Sequence, residues 1–178
     1  NDAARSFSGK QHVQVGFGMG DGKVDLAIDK GAQVLLAQEM RSPRAGTYHF
    51  SIRACGGGTS RKLFEQNFLK QFTCRLVIYR CAEATKNPAK RQELGSGEFK
   101  PTFCDDNKPM WQEFTLSKRL DSATPGSNFS TGLGLGVAVI IEKTAPGVLL
   151  HEGGSTYLRI DNAAVEFTSR TINDEVKV

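Results

Sequence analysis

The clearest alternation of apolar and polar positions runs from Gly46 to Ala54. Tyr48, Phe50, Ile52 and Ala54 fall on one side of a two-residue period, and Thr47, His49, Ser51 and Arg53 on the other. Successive side chains of an extended chain point to opposite sides, so the pattern predicts a β-strand with one dry and one solvated face. Pro43 and Gly46 mark its start, and Gly56-Gly57-Gly58 reads as its end. Such a strand needs a sheet, and its dry face needs a second layer.

The same period recurs along the chain. Val13, Val15 and Phe17 are in phase. Val24, Leu26 and Ile28 alternate with Asp25, Ala27 and Asp29; after a turn at Lys30-Gly31, residues 32–40 give a second strand, and the two read as a hairpin. Residues 73–80 set Cys74, Leu76 and Ile78 against Arg75, Val77 and Tyr79. Residues 111–116 set Trp111, Glu113 and Thr115 against Gln112, Phe114 and Leu116. Residues 134–142 are nearly continuously apolar and rich in Val and Ile, which predicts a central strand covered on both sides. In residues 156–167, Leu158 and Ile160 are out of phase with Ala163, Val165 and Phe167, and a β-bulge at Asp161-Asn162 restores one apolar face.

Between these strands, Phe64, Phe68 and Phe72 recur every four residues with Leu69 beside them. A short amphipathic helix capped by Thr59 or Ser60 accounts for that spacing, although a strand also fits. Residues 84–101 are polar and broken by Asn87-Pro88 and Gly95-Ser96-Gly97, so they read as a long surface connection with a short strand near Phe99. At least seven strands, little helix and frequent turns predict an all-β fold, a β-sandwich with one short helix.

Composition narrows the function classes. The chain has 178 residues, and residues 1–178 read as a single domain able to bury its own core. Asn1 is not an initiator residue, so the chain reads as a piece of a larger protein. The formal net charge is +4, with basic residues dispersed, and no RNP, finger or helix-turn-helix signature points to nucleic acid. The longest apolar run, residues 133–141, is too short to span a bilayer and is interrupted by Gly134 and Gly136. Cys55, Cys74, Cys81 and Cys104 form no C-x-x-C pair; three disulfide connectivities are open if all are oxidised, and free buried thiols are equally open.

Two stretches carry a family likeness. Residues 45–54, Ala-Gly-Thr-Tyr-His-Phe-Ser-Ile-Arg-Ala, resemble the early "pGtYrfsvrA" strand of galactose-binding-like jelly rolls. Residues 156–166 are similar to the closing "lriDnvev" strand of the same group. The middle strands follow in an order similar to that of non-catalytic carbohydrate-binding modules. The resemblance implies a jelly-roll sandwich that binds a glycan, is secreted or extracytoplasmic, and sits beside other domains of one long chain. It also implies a structural calcium ion held by Asp161 with partners from the N-terminal strands, Glu39 foremost and Asp25 and Asp29 as further candidates.

The residues themselves offer a binding chemistry rather than a catalytic one. Trp111, the only tryptophan, shares a polar face with Glu113, where an indole can stack on a sugar ring; Tyr79 and Tyr157 sit on similar polar faces. Arg53 and Arg75 can join such sites as fork-shaped donors. Packing under a loop is the other fate open to a lone tryptophan. His12, His49 and His151 are far apart in sequence, no nucleophile elbow occurs, and Asp105-Asp106 would point apart on an extended strand. Asn128-Phe129-Ser130 fits a glycosylation acceptor. The leading expectation is therefore a non-enzymatic carbohydrate-binding module. A structural or protein-interaction module would instead show an exposed apolar patch or an open edge strand. A small hydrolase would show clustered titratable groups with shifted pKa.

Overall fold

The computed structural model describes residues 12–17, 26–40, 44–81, 91–105, 108–121, 134–150 and 154–169. The glycine-rich run beyond Phe17, Asp25, Asp106, the Asn128 acceptor and His151 lie outside them. The fold is all-β. Its strands are β1 (Val13–Phe17), β2 (Leu26–Ala27), β3 (Gln33–Met40), β4 (Gly46–Gly58), β5 (Phe72–Cys81), β6 (Arg91–Phe99), β7 (Gln112–Leu120), β8 (Leu135–Lys143), β9 (Val148–Leu149) and β10 (Thr156–Ser169). A short helix, α1 (Arg61–Phe64), continues into a π-helical turn over Glu65–Leu69.

Two four-stranded antiparallel sheets face each other, in the orders β1-β10-β4-β7 and β3-β8-β5-β6, and β2 pairs with β9 beside them. Setting aside the two-residue strands β2 and β9, the first sheet takes the first, last, third and sixth strands, and the second takes the second, seventh, fourth and fifth. That order is a jelly roll.

The alternation chose the inward faces. Tyr48, Phe50, Ile52 and Ala54 point into the sandwich and meet Cys74, Leu76 and Ile78 of β5 and Val137, Val139 and Ile141 of β8. Each large side chain so buried contributes about 1.5–3 kcal/mol. The Tyr48 hydroxyl donates to Arg44 O and accepts the Arg44 N–H, both at 2.8 Å, which pins the approach to β4. Burial pushes the Tyr48 phenol above its ordinary pKa, against the opposing effect of Arg44. At one end of the core Ser60 caps α1 by accepting the Leu63 N–H at 3.1 Å. Phe64, Phe68 and Phe72 stack in succession, with centroids 5.2 and 5.7 Å apart. The expected bulge is present: the β4–β10 register shifts between Asp161 and Ala164, and Val165 returns to the core.

Three expectations are corrected. The strand does not end at Gly56-Gly57-Gly58; β4 runs through all three. A Cβ at Gly56 would stand 2.1 Å from the Phe64 ring and one at Gly57 2.3 Å from the Tyr157 ring, so these glycines mark where aromatic rings lie on the backbone. The hairpin expected over residues 24–40 does not form among its described residues. Leu26–Ala27 pairs with β9 while β3 pairs with β8, and the turn at Gly31 (φ 93°) carries the chain from one to the other. Finally, residues 91–99 are a full edge strand, not a connection. Its glycines face β7, with a Cβ at Gly97 falling 3.7 Å from Leu116, and Phe99 meets Phe114 at 4.7 Å. The β6–β7 seam is thereby closed. On the opposite side, β1 and β3 leave between the sheets a cavity of about 670 Å³, floored by Leu36, Phe50, Val139 and Ile160.

Candidate functional site

Side chains that alternate with the core project from the outward faces of the two sheets. On the first sheet, register lines up Asp161, Arg53 and Glu113 in one row and Gln14, Arg159 and Cys55 in the next. Trp111 immediately precedes β7 in the phase of Glu113 and is half-buried. Its ring meets His12, which leads into β1, edge-on at 6.2 Å with an interplanar angle of 68°. Arg53 Nη2 lies 3.4 Å from Glu113 Oε1. Farther along the same face His49 Nδ1 lies 2.7 Å from Ser117 Oγ. Asp161 Oδ1 accepts the Asn162 N–H at 2.6 Å, so this carboxylate serves the backbone of the bulge.

On β10 as well, Tyr157, expected on an open polar face, is 5 % exposed and covered by Arg159, a residue that reading the sequence did not single out. Arg159 is 1 % exposed, with its guanidinium 4.7 Å from the centre of the Tyr157 ring and Nη2 donating to the Tyr157 hydroxyl at 3.0 Å. Cys55, also buried, faces Arg159 across β4 and β10. Burial pushes its thiol up to about 12, with the neighbouring Cys104 adding to the rise and Arg159 opposing it. The available signal was the phase of Tyr157, Arg159 and Asp161 opposite Leu158 and Ile160.

The second sheet holds the remaining candidates on the far side of the sandwich. Tyr79 was expected on an open polar face, but it is 2 % exposed. Its ring lies on Gly136, where a Cβ would approach to 2.3 Å, and the Arg91 guanidinium covers it at 4.7 Å. It therefore offers no ring face to a ligand. Arg75 Nη1 meets Glu93 Oε2 at 3.0 Å. A hydrogen bond from Ser96 is the main cause that holds the Glu93 carboxyl below its ordinary pKa; burial opposes it and Arg75 adds to it. Glu39 is exposed and pairs with Gly136.

The structure thus brings Trp111, Arg53 and Asp161 onto one face and leaves Tyr79, Arg75 and Glu39 on the other. Asp161 and Glu39, on outward faces of different sheets, do not form a joint ligand set. Among the described residues no three His, Cys, Asp or Glu side chains are grouped as an ion would require. Nor do the shifted groups cluster: Cys74, pushed up to about 12 by burial, lies in the core, Glu93 on the second sheet and Cys55 under the first.

Neither a family model nor a curated protein sequence matches the chain. A solved structure described as "CBM4 structure and function" is similar, at 13% identity over 75% of this chain and 61% of that one, with a TM-score of 0.41. The chain thus spans less than two thirds of that structure's length. The fold assignment rests on the strand order given above.

Proposed function

We propose that the chain is a non-catalytic carbohydrate-binding module whose ligand lies on the outward face of the β1-β10-β4-β7 sheet. The observation that carries this reading is the Arg53–Glu113 pair on the face from which Trp111, two positions before Glu113 and in its phase, also projects. A pyranose ring is apolar on its C–H face and polar at its rim. An indole provides area for the first, and a guanidinium–carboxylate pair provides donors and acceptors for the second. Arg53 and Glu113 stand on paired strands and Trp111 directly before one of them, so little ordering entropy is spent on binding. On this reading the module acts outside the cytoplasm, beside other domains of a longer protein.

A glycan array probed with the wild type and Trp111→Ala tests it. The wild type binds at least one glycan, and the variant, with an unchanged melting midpoint, binds it about tenfold or more weakly, the scale of losing an aromatic anchor. Silence of the wild type across the array would sink the proposal, and equal binding by both proteins would remove Trp111 from it. One observation favours a second reading, a protein-interaction module. The cavity between β1 and β3 adjoins Val13, which is 47% exposed, and an extended partner segment could dock there.

A further inference from the structure

We infer that Cys55 and Cys104 are the two ends of a disulfide that forms as the chain folds under oxidising conditions, and that this bond fixes the loop leading into Trp111. The second half rests on the carbohydrate-binding reading; the first does not.

Residues 102–104 run parallel to β4. The Gly56 N–H donates to Thr102 O at 2.8 Å and the Cys104 N–H donates to Gly56 O at 3.0 Å, so Gly56 and Phe103 bridge. This register puts Cys104 across from Gly57 and one diagonal step from Cys55, both on the outward side of β4 and both buried, with Cys104 near enough to act on the Cys55 thiol. β4 is fixed between β10 and β7, whereas residues 102–104 touch it through one isolated bridge and can shift to bring the sulfurs to bonding distance.

Cys74 and Cys81 are too far apart along one strand to pair with each other. Cys74 points into the core, and Cys81 lies seven positions along the same strand, roughly 23 Å away at the rise of an extended chain. Of the connectivities open to four cysteines, the geometry therefore selects a single Cys55–Cys104 bond with two thiols left.

The bond would act on Trp111 through the loop. Thr102 N–H donates to Gln112 Oε1 at 2.8 Å, and the Phe103 ring packs on Phe64 at 5.9 Å. Residues 102–112 are thus closed on themselves, and a covalent tie at Cys104 anchors the whole loop to the sheet that carries Arg53. The chemistry balances with a small-molecule disulfide as oxidant. One protein thiolate attacks it and expels a thiol; the second protein thiolate then attacks the mixed disulfide and expels the other. Two electrons pass to the reagent, and the two thiol protons end on its released thiols. Because the folded Cys55 thiol stays protonated at neutral pH, exchange belongs to the folding chain, before both sulfurs are sealed.

The experiment refolds the whole chain with glutathione disulfide and glutathione. Intact mass should fall by two hydrogens, and peptide mapping should join the segment containing Cys55 to that containing Cys104. The denatured product should titrate two thiols, against four after reduction. Its melting midpoint should exceed that of the reduced protein by on the order of 5 °C. Glycan affinity should fall several-fold on reduction. Recovery of four thiols, or a cross-link to Cys74 or Cys81, overturns the inference without touching the glycan reading. A mapped Cys55–Cys104 link in a protein that binds no glycan leaves the bond standing and sinks the other. Equal glycan affinity before and after reduction removes the loop-fixing role. Mapping uses the wild type, so it does not depend on whether Cys55→Ser folds.

Discussion

On each outward face one tyrosine lies flat across the glycine opposite it on the next strand, with an arginine above the ring. Tyr157 covers Gly57 beneath Arg159, and Tyr79 covers Gly136 beneath Arg91. A glycine inside a strand leaves backbone bare, and a cross-strand aromatic covers it. The guanidinium adds an attraction of about 0.5–2 kcal/mol to the ring face. This explains why two aromatics at the same kind of sequence position met different fates. Tyr79 and Trp111 both alternate with apolar residues among polar neighbours. Tyr79 is on a central strand with a glycine partner to lie on, and Trp111 precedes an edge strand. Periodicity reports the face a side chain leaves from; what it lands on depends on the neighbouring strand, which is distant in sequence. Gly136→Ala should therefore lower unfolding free energy by about 1–3 kcal/mol in urea titration, because the new Cβ displaces the Tyr79 ring. Gly97→Ala, whose Cβ would meet Leu116 at an ordinary 3.7 Å, should be neutral or stabilising by up to about 1 kcal/mol. Equal effects at the two positions would mean that the ring does not rest on Gly136.

Among the elements, β10 shows how a phase change in sequence becomes a shape. Its first half faces the core with Leu158 and Ile160, its second with Val165, and Phe167 meets Tyr48 at 5.1 Å. Asn162 takes the extra residue up at φ 50°, a left-handed conformation that asparagine tolerates and β-branched residues resist. Asn162→Gly should leave stability unchanged within a few tenths of a kcal/mol, and Asn162→Val should cost about 1–2 kcal/mol by chemical denaturation. If valine is accepted without cost, the backbone at the bulge is not held left-handed. This bulge was legible because a period of two permits no other repair. β6 was not, because Gly95-Ser96-Gly97 looks like a breaker unless the long side chains of β7 that lie across it are known. The supposed β2–β3 hairpin failed for a related reason: proximity in sequence suggested pairing, yet the partners of both strands come from residues 135–149.

For the molecule as a whole, alternation predicted two layers, and the strand order within them came from elsewhere. The two stretches with a family likeness turn out to be neighbours, with Ile160 opposite Ala54 in the centre of the first sheet. The sandwich they organise is asymmetric. Along the β6–β7 side the Phe99–Phe114 contact and the packed glycines seal the layers, while the β1–β3 side leaves the cavity open between them. β1 and β7 are both edge strands of the same sheet, and each has one paired neighbour there. They differ in length, five residues against nine, and in whether the second sheet closes over them. Local opening should therefore release β1 first, since few buried contacts break when it detaches. Native-state hydrogen exchange should report a lower opening free energy for the amides of Val13–Phe17 than for those of Gln112–Leu120, with β4 and β8 exchanging only by global unfolding. A ligand confined to the Trp111 face would raise protection in β7 and β4 and widen the difference between the edges. Occupancy of the β1–β3 cavity would raise protection in β1 and shrink it. The same measurement, repeated with a glycan and with a candidate peptide, therefore separates the two binding readings by the edge that responds.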